Sequence, residues 1–443
     1  MGDDIPAALY HAVEKNDVTK LRHLLQEGAN PNENYNDSPA LSFTILHLCC
    51  GKGHLEITRE LVEAGANIYA RDAWGMSPFI HSIISQYTEV LEYLLSISPP
   101  LVNIRDKFEK SPLHFAIESN NVDIFTLLIK RGADINISTM HGITPLMFAC
   151  ITPKLSNREE MVRILLKEGA LVDLKDVLDY RTALQFAVTK RHTELVSMLL
   201  LAGADTNSLD KGGGTPLTNL MTASVRPTCL DPTVSDDVMT IIVLLQQMGA
   251  DLNMNKCEYS NPLMVATLLK SAKLVEYFLG CGADPNVKFI SGITPLLAAV
   301  GNRDVKTTRH LLRHNADVAA KAMVIRRRQE ERMYNPFELA VELLQWEIVD
   351  TLIQFGYNLS QHDYLQDNAC LDSTPESLRD DKNMLSMLQA LARSPCSLQR
   401  IVILNMTTRT LSGLLKQRMI LYNEAEGKSG QNHAQSSTIR NSC

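Results

Sequence analysis

Apolar residues recur along the chain in triplets spaced at positions i, i+3 and i+4. Leu113, Ala116 and Ile117 form one such triplet, and a second lies at positions 124, 127 and 128. This spacing places three side chains along one stripe of an α-helix, whereas a half-buried strand would alternate. The pattern therefore predicts two short amphipathic helices in succession.

This two-helix pattern occurs ten times. Successive copies are 33 or 34 residues apart wherever no insertion intervenes. Helices of about ten residues are marginal in water, so each copy is predicted to gain stability by stacking its apolar stripes on its neighbours. Seven copies end in the dipeptide Gly-Ala, which begins at Gly28, Gly65, Gly132, Gly169, Gly203, Gly249 and Gly282.

Residues suited to helix ends flank the predicted helices. The first helix of a copy follows a Ser, Thr or Asn and begins with proline, as at Ser111-Pro112 and Thr144-Pro145. A hydroxyl or amide caps free N–H groups there, and proline loses no hydrogen bond in the first turn. The glycine after the second helix can adopt the left-handed conformation that ends a helix.

Three segments of the repeat together carry a family resemblance. Residues 72–79 read Asp-Ala-Trp-Gly-Met-Ser-Pro-Phe, residues 141–146 read His-Gly-Ile-Thr-Pro-Leu, and residues 132–136 read Gly-Ala-Asp-Ile-Asn. This combination resembles the ankyrin repeat. The resemblance implies an all-α ankyrin-repeat solenoid over residues 5–360, in about ten repeats whose helix pairs are joined by hairpin-like fingers.

Composition and charge narrow the class of protein. The 443 residues carry 43 Lys+Arg and 50 Asp+Glu, a formal charge of −7, which supplies no general basic field for binding nucleic acid. No stretch approaches the ~18 apolar residues of a membrane span, and the acidic start is unlike a secretory signal. Nine scattered cysteines fit a reducing compartment. We therefore expect a cytoplasmic protein, with the nucleus as an alternative, and neither nucleic-acid nor membrane partners.

Candidate chemistry is sparse. His47, Cys49, Cys50 and His54 form the densest metal-like cluster, but the two thiols occupy the apolar stripe of their helix. No pair in it has the spacing of a structural zinc site, so we interpret the thiols as core residues and keep zinc or nucleophilic chemistry as the lesser alternative. His114 repeats the position of His47 and is interpreted as a scaffold histidine. We assign no catalytic, cofactor-binding or metal-binding residue and predict that the protein is not an enzyme.

A column of apolar and aromatic residues is the candidate protein-binding site. Leu41, Trp74, Phe108 and His141 stand four residues before the helix-start position in repeats two to five. This register places them on adjacent fingertips. Two interpretations are open: partial burial between neighbouring fingers, or an exposed recognition stripe for a target protein.

The repeat ends near residue 360, and three further segments are predicted. Residues 361–393 form a linker and a capping helix, residues 394–423 a helical segment, and residues 424–443 a disordered tail. The segment that begins Ser-Pro-Cys-Ser-Leu at residue 394 resembles the start of a SOCS box, the appendage of the ankyrin-repeat and SOCS-box family.

The SOCS-box resemblance implies particular partners. Leu398, Val402 and Met406 match the elongin-binding pattern and lie at i, i+4 and i+8, on one face of a helix. The resemblance implies that these residues bind elongin C, within elongin B/C, with Leu398 as the principal anchor. The Leu-Pro-x-Pro element that selects a cullin has no match after Tyr422, which leaves cullin binding open.

Two functions of different classes follow from these features. In the first, the protein is the substrate-recognition adaptor of an elongin/cullin-RING E3 ubiquitin ligase in intracellular signalling, with the target on the repeats and elongin C on the C-terminal helix. In the second, it is a non-ligase ankyrin scaffold that tethers protein partners, and the C-terminal helix only caps the repeats. The sequence names no target, because the fold carries no ligand identity.

Overall fold

The computed structural model describes residues 5–34, 42–224, 234–254, 256, 260–289, 292–325, 331–362, 365 and 382–393. These residues fall into two compact units, of which the first ends at Asp251 and the second begins at Leu252. Within these ranges, no helix is both long enough and apolar enough to cross a membrane.

The first unit contains seven helix pairs. The two helices of each pair pack on each other, and each first helix also packs on the first helix of the next pair. The helices are α1 Ile5–Glu14, α2 Val18–Gln26, α3 Ile45–Lys52, α4 Leu55–Glu63, α5 Pro78–Ile84, α6 Thr88–Ile97, α7 Pro112–Glu118, α8 Val122–Lys130, α9 Pro145–Ile151, α10 Arg158–Lys167, α11 Ala183–Thr189, α12 Thr193–Leu201, α13 Pro216–Ser224 and α14 Asp236–Gln247.

The second unit contains three helix pairs, a hairpin and a final helix. Strands β1 Ala322–Ile325 and β2 Glu331–Tyr334 pair antiparallel, in the register that sets Met323 opposite Met333. The hairpin takes the place of a finger before the last helix pair. The helices are α15 Pro262–Leu268, α16 Ala272–Gly280, α17 Pro295–Gly301, α18 Val305–Arg313, α19 Pro336–Glu342, α20 Trp346–Gln354 and α21 Lys382–Ala392.

The predicted apolar stripes form the core. Leu113, Ala116 and Ile117 are all buried, and Ala116 leaves no accessible surface, so neighbouring first helices approach closely. Each fully buried leucine or isoleucine contributes about 1.5–3 kcal/mol. The prediction of an all-α solenoid of helix pairs is confirmed for the described part of the chain, with the β1–β2 hairpin as its one extended element.

The helix ends follow the predicted chemistry. The hydroxyl of Thr144 accepts a hydrogen bond from the Met147 N–H at 3.3 Å, with Pro145 in the first turn. Gly132, after α8, has φ +87°, in the left-handed region. Asn315 adopts the same conformation, at φ 62°, where the ninth repeat has no glycine. In the third repeat, whose second helix is followed by two prolines, a short 3₁₀ helix, Pro99–Asn103, takes the place of this turn.

Side-chain amides join successive repeats, and we call these contacts asparagine bridges. Asn207 donates from Nδ2 to the carbonyl oxygen of Gly249 at 3.0 Å and accepts at Oδ1 from the Asp251 N–H at 2.8 Å. Asp173 holds the equivalent position one repeat earlier, where its carboxylate accepts from the Asp205 N–H but has no proton to donate. Asn32, Asn103, Asn253 and Asn286 make the same two bonds as Asn207.

We expect the asparagine bridge to contribute measurably to stability. Asn207→Ala removes both hydrogen bonds and should lower the free energy of unfolding by about 1–2 kcal/mol. Asn207→Asp keeps the acceptor and should cost less. The converse change, Asp173→Asn, supplies the missing donor and should stabilise the protein. Urea unfolding followed by circular dichroism measures all three, and equal midpoints for Asn207→Ala and wild type would contradict the role of the bridge.

Candidate functional site

The fingers of repeats three, four, six and seven are tight turns built around an aspartate, and Thr139 holds this position in repeat five. Asp72 Oδ1 accepts hydrogen bonds from the backbone N–H groups of Trp74 and Met76, both at 2.9 Å. Gly75 has φ +76°, and a Cβ atom there would lie 2.7 Å from the backbone nitrogen of Lys107 in the next finger. The turn therefore needs glycine, and the Asp72 carboxylate satisfies two of its backbone N–H groups.

Neighbouring fingertips are joined through their backbones. Each bond runs from an N–H group in one finger to a carbonyl oxygen in the preceding finger, across repeats three to seven. Because the bonds involve only backbone atoms, they fix the spacing of the tips whatever their side chains are. The bonds are Lys107 to Trp74 at 3.1 Å, Met140 to Phe108 at 3.0 Å, Val177 to His141 at 2.9 Å and Lys211 to Asp179 at 2.7 Å.

The predicted column is exposed where the structure describes it. Trp74 is 59% exposed and Phe108 is 47% exposed. His141 is also exposed. Leu41 lies outside the described residues. Of the two interpretations of the column, the structure favours accessible side chains over burial between fingers, and the backbone bonds hold these side chains in one row.

The row continues into residues that the sequence pattern missed. Met140 is exposed beside His141, and the finger of the sixth repeat exposes Val177, Leu178 and Tyr180. This finger spans five positions from Asp176 to Arg181 rather than four, so counting back from the helix start does not find its tip. We define the fingertip surface as Trp74, Phe108, Met140, His141, Val177, Leu178 and Tyr180.

A groove lies beside the fingertip surface, between the third and fourth repeats. It has a volume of about 420 Å³. Trp74 and Phe108 line it, together with the apolar side chains of Met76, Ile84 and Phe115. The volume is in the range of pockets that bind drug-sized molecules or a few large side chains.

Lys110 of the groove wall contacts a carboxylate and two aromatic rings. Lys110 Nζ lies 2.9 Å from a carboxylate oxygen of Glu118. The same ammonium lies 5.3 Å from the ring centroid of Phe115 and 5.1 Å from that of Phe148, within range of cation–π attraction. The sequence signal for these rings is the phenylalanine that recurs at the same helix position in three consecutive repeats, at Phe115, Phe148 and Phe186.

Comparison with known proteins identifies the repeat. Family models for ankyrin repeats match residues 9–102, 97–176, 179–211, 234–322 and 263–363. The chain belongs to the ankyrin-repeat family. Ankyrin repeats imply protein–protein interaction as its general function, which agrees with an exposed row of apolar side chains.

The chain is similar over part of its length to several larger proteins. It is 27% identical over 263 residues to the E3 ubiquitin-protein ligase KEG of Arabidopsis thaliana, covering 57% of this chain and 15% of that protein. It is 40% identical over 113 residues to the probable E3 ubiquitin-protein ligase XBOS33 of Oryza sativa subsp. japonica, covering 25% and 20%. It is 24% identical over 215 residues to the nuclear factor NF-kappa-B p105 subunit of Gallus gallus, covering 47% and 20%. The chain thus spans a fifth or less of the length of these relatives.

Two histidines serve as helix caps in these ankyrin repeats. His114 Nδ1 accepts from the Ser111 N–H at 3.2 Å, and its Nε2 lies 3.0 Å from the carbonyl oxygen of Ile143 in the next repeat. His47 makes the equivalent contacts with Thr44 and Met76. Burial lowers the pKa of each histidine to about 4, and protonation at Nδ1 would also remove the bond to the N–H.

The cysteines beside His47 are packed in the core. Cys49 and Cys50 leave no accessible surface, and Cys49 Sγ donates to the Leu46 carbonyl oxygen at 3.3 Å. Burial raises the pKa of the Cys50 thiol well above its usual value, and that of Cys150 to about 12. Cys50 and Cys150 are therefore neutral packing groups. In the described ranges, no group of three or more His, Cys, Asp or Glu side chains is arranged to hold a metal ion.

The predicted elongin-binding residues lie beyond the described chain. The last described helix, α21, ends at Ala392, and Leu398, Val402 and Met406 all fall outside the described residues. Leu388 of α21 is buried, and this helix packs against the short 3₁₀ helix Leu359–Gln361 that follows the last repeat. Helix α21 lies within the segment predicted to form a linker and a capping helix, and both its capping role and the binding segment that follows it stay predictions.

The histidine caps should make stability depend on pH. In the unfolded chain His114 takes up a proton below pH 6.5, whereas the folded imidazole does so only near pH 4. The contribution of each neutral histidine to the free energy of unfolding is therefore complete above pH 6.5. It is lost as the pH falls towards 4, by about 3 kcal/mol for each buried histidine.

A natural control tests this prediction. Gln185 holds the same position in the sixth repeat, where Oε1 accepts from the Thr182 N–H at 2.9 Å and Nε2 donates to the Gly214 carbonyl oxygen at 3.1 Å. His114→Gln should therefore keep the stability at pH 7 and lose part of the acid dependence. Urea unfolding at pH 7, 5.5 and 4.5 measures both, and an unchanged acid dependence in the variant would contradict the lowered pKa.

Proposed function

We propose that this chain is the target-recognition adaptor of an elongin/cullin-RING E3 ubiquitin ligase. Its ankyrin repeats bind a target protein through the fingertip surface, and residues 394–423 bind elongin C. The observation that carries the target-binding half is the row of exposed apolar side chains held in register by backbone bonds across repeats three to six. The protein supplies proximity and orientation rather than chemistry.

The fingertip surface has the composition of a binding hot spot. Trp74 and Phe108 are large rings with little rotamer freedom, so they bury much area at a small entropic cost. The groove that both rings line offers a concave site for a side chain of the target. Lys110 and Glu118 supply polar groups at its edge. This combination of apolar anchors and a polar rim is typical of protein interfaces.

The ligase half of the proposal comes from the sequence after the repeats. Leu398, Val402 and Met406 fit a helix that lies in a groove of elongin C, and elongin B/C would link the protein to a cullin. Two of the relatives, KEG and XBOS33, carry the name E3 ubiquitin-protein ligase, which supports a context of ubiquitin ligation. We place this function in the cytoplasm, with the nucleus as a second compartment.

The second candidate function is that of a scaffold without a ligase role. The observation in its favour is that the fingertip surface and the groove lie wholly within the repeats, and binding there needs nothing from residues 394–443. Deleting those residues separates the two candidates. A scaffold predicts an unchanged abundance of its target, whereas the adaptor predicts a longer target half-life.

Elongin binding is tested at its principal anchor. We expect the full chain to co-purify elongin B/C, and Leu398→Asp to abolish recovery, because a carboxylate cannot be buried unpaired in an apolar groove. Gln399→Asp introduces the same charge one residue further along the chain, about 100° around the predicted helix, and should retain recovery. Equal background recovery by wild type and Leu398→Asp would show that the ligase half is wrong.

Target binding is tested at the two exposed rings. Trp74→Ala with Phe108→Ala should weaken binding of a target by more than about 1 kcal/mol while leaving thermal unfolding nearly unchanged, because both rings are exposed. Phe79→Ala is the matched contrast, since Phe79 is fully buried and its loss should cost about 3–5 kcal/mol of stability. Proximity labelling with the wild type supplies the targets. If the double variant loses as much stability as it loses binding free energy, the two rings are packing residues instead.

A further inference from the structure

The fingers of the first unit expose mainly positive charge. Asp72, Asp106 and Asp176 are buried, because their carboxylates are turned inwards to hold the finger backbone. The fingers of repeats three to seven then carry seven cations against three acids, and three of these cations, Arg105, Lys110 and Arg181, are paired with Glu109, Glu118 and Asp179. The cations are Arg71, Arg105, Lys107, Lys110, Lys175, Arg181 and Lys211, and the acids are Glu109, Asp179 and the half-buried Asp210.

The second helices of repeats two to seven carry the opposite charge. In α4, α6, α8, α10, α12 and α14, acids outnumber cations by about two to one. The formal charge of −7 is therefore unevenly distributed, because the fingers are mainly positive and these second helices are mainly negative. The acids are Glu56, Glu60, Glu63, Glu89, Glu92, Asp123, Glu159, Glu160, Glu194, Asp236 and Asp237, and the cations are Arg59, Lys130, Arg158, Arg163 and Lys167.

Four of the finger cations lie along the backbone bonds that join the fingers. Lys175 Nζ donates to the Leu209 carbonyl oxygen at 2.7 Å, and Lys211 Nζ to the Leu178 carbonyl oxygen at 3.4 Å. Arg71 and Lys107 likewise donate to finger carbonyl oxygens. A carbonyl oxygen carries no net charge, so these contacts position the cations without neutralising them, and the positive field remains available to a partner.

We propose that the fingers of repeats three to seven bind an extended acidic peptide segment of a partner protein. A large apolar side chain of the peptide enters the groove lined by Trp74 and Phe108, and the carboxylates of the peptide face the row of finger cations. This inference rests on the target-binding half of the proposed function and names the chemistry of the target. The charge row steers the peptide onto the fingers, and the groove provides the apolar anchor.

The composition of the groove favours a peptide over a nucleic acid. Its walls carry the aliphatic side chains of Met76 and Ile84, which suit a leucine, methionine or aromatic side chain. Glu118 stands at the groove and Glu109 at the same fingertip as Phe108, and both would repel a continuous phosphate backbone. A peptide can place its carboxylates away from these two acids, whereas a regular polyanion cannot.

An unbiased selection tests this chemistry. Random dodecapeptides displayed on phage are selected on the immobilised full chain. We expect the enriched peptides to carry Asp and Glu at about two to three times the library frequency, together with a large apolar residue. Absence of enriched peptides, or enrichment without an acidic bias, would overturn the proposal.

A triple variant locates the binding surface. Lys107→Gln, Lys175→Gln and Lys211→Gln together remove three finger charges while each glutamine retains an amide donor. The control, Lys20→Gln, Lys130→Gln and Lys167→Gln, removes three exposed charges from second helices. We expect the finger variant to bind a selected peptide about tenfold more weakly at ~0.05 M salt, and the difference to shrink at ~0.5 M. An equal loss in the control variant would overturn the proposal, as would tighter binding of single-stranded oligothymidine than of any selected peptide.

The same variants separate this inference from the proposed function. Both triple variants leave residues 394–423 untouched, so both should co-purify elongin B/C as the wild type does. If peptide selection shows no acidic bias but elongin is recovered, the acidic-partner inference fails and the adaptor proposal stands. If the acidic bias is found and elongin is not recovered, the acidic-partner inference holds, and the protein is a scaffold rather than a ligase adaptor.

Discussion

Stacking of each helix pair on its neighbour is the interaction on which every other feature of this chain depends. The described helices are seven to twelve residues long, which is too short for independent stability in water. Each helix is stable because its apolar stripe is buried against the adjacent repeat. The small residue at the centre of the first helix, such as Ala116, allows this close approach. Stability is therefore a property of neighbouring repeats rather than of any one of them.

Polar contacts fix the position of each helix pair on its neighbour. Apolar burial alone tolerates small slips, because it has no preferred geometry. The asparagine bridges, the histidine caps and the backbone bonds between fingers each join a defined atom of one repeat to a defined atom of the next. Together they hold the fingertips in register, so that Trp74 and Phe108 flank one groove. The binding surface is thus a product of the contacts that align the repeats.

The sequence predicts the framework well and the surface less completely. The helix pairs, their caps and the scaffold role of His114 follow from periodicity, because burial and capping recur at fixed positions in each repeat. The finger of the sixth repeat was missed, since one extra residue before Arg181 shifts its tip and no proline marks the helix start. The charge of the fingers was also missed. A count over the whole chain includes Asp72 and Asp106 as if they were exposed, whereas their carboxylates are turned into the fold.

The longer finger of the sixth repeat has a consequence for how such a protein changes over time. Its extra residue leaves both neighbouring backbone bonds intact, from Val177 to His141 and from Lys211 to Asp179. The helices beneath it, α11 and α12, keep their buried stripes. A finger can therefore gain a residue and expose new side chains without disturbing the packing below. Insertions at fingertips give evolution a route to new binding partners in which the framework need not be rebuilt each time.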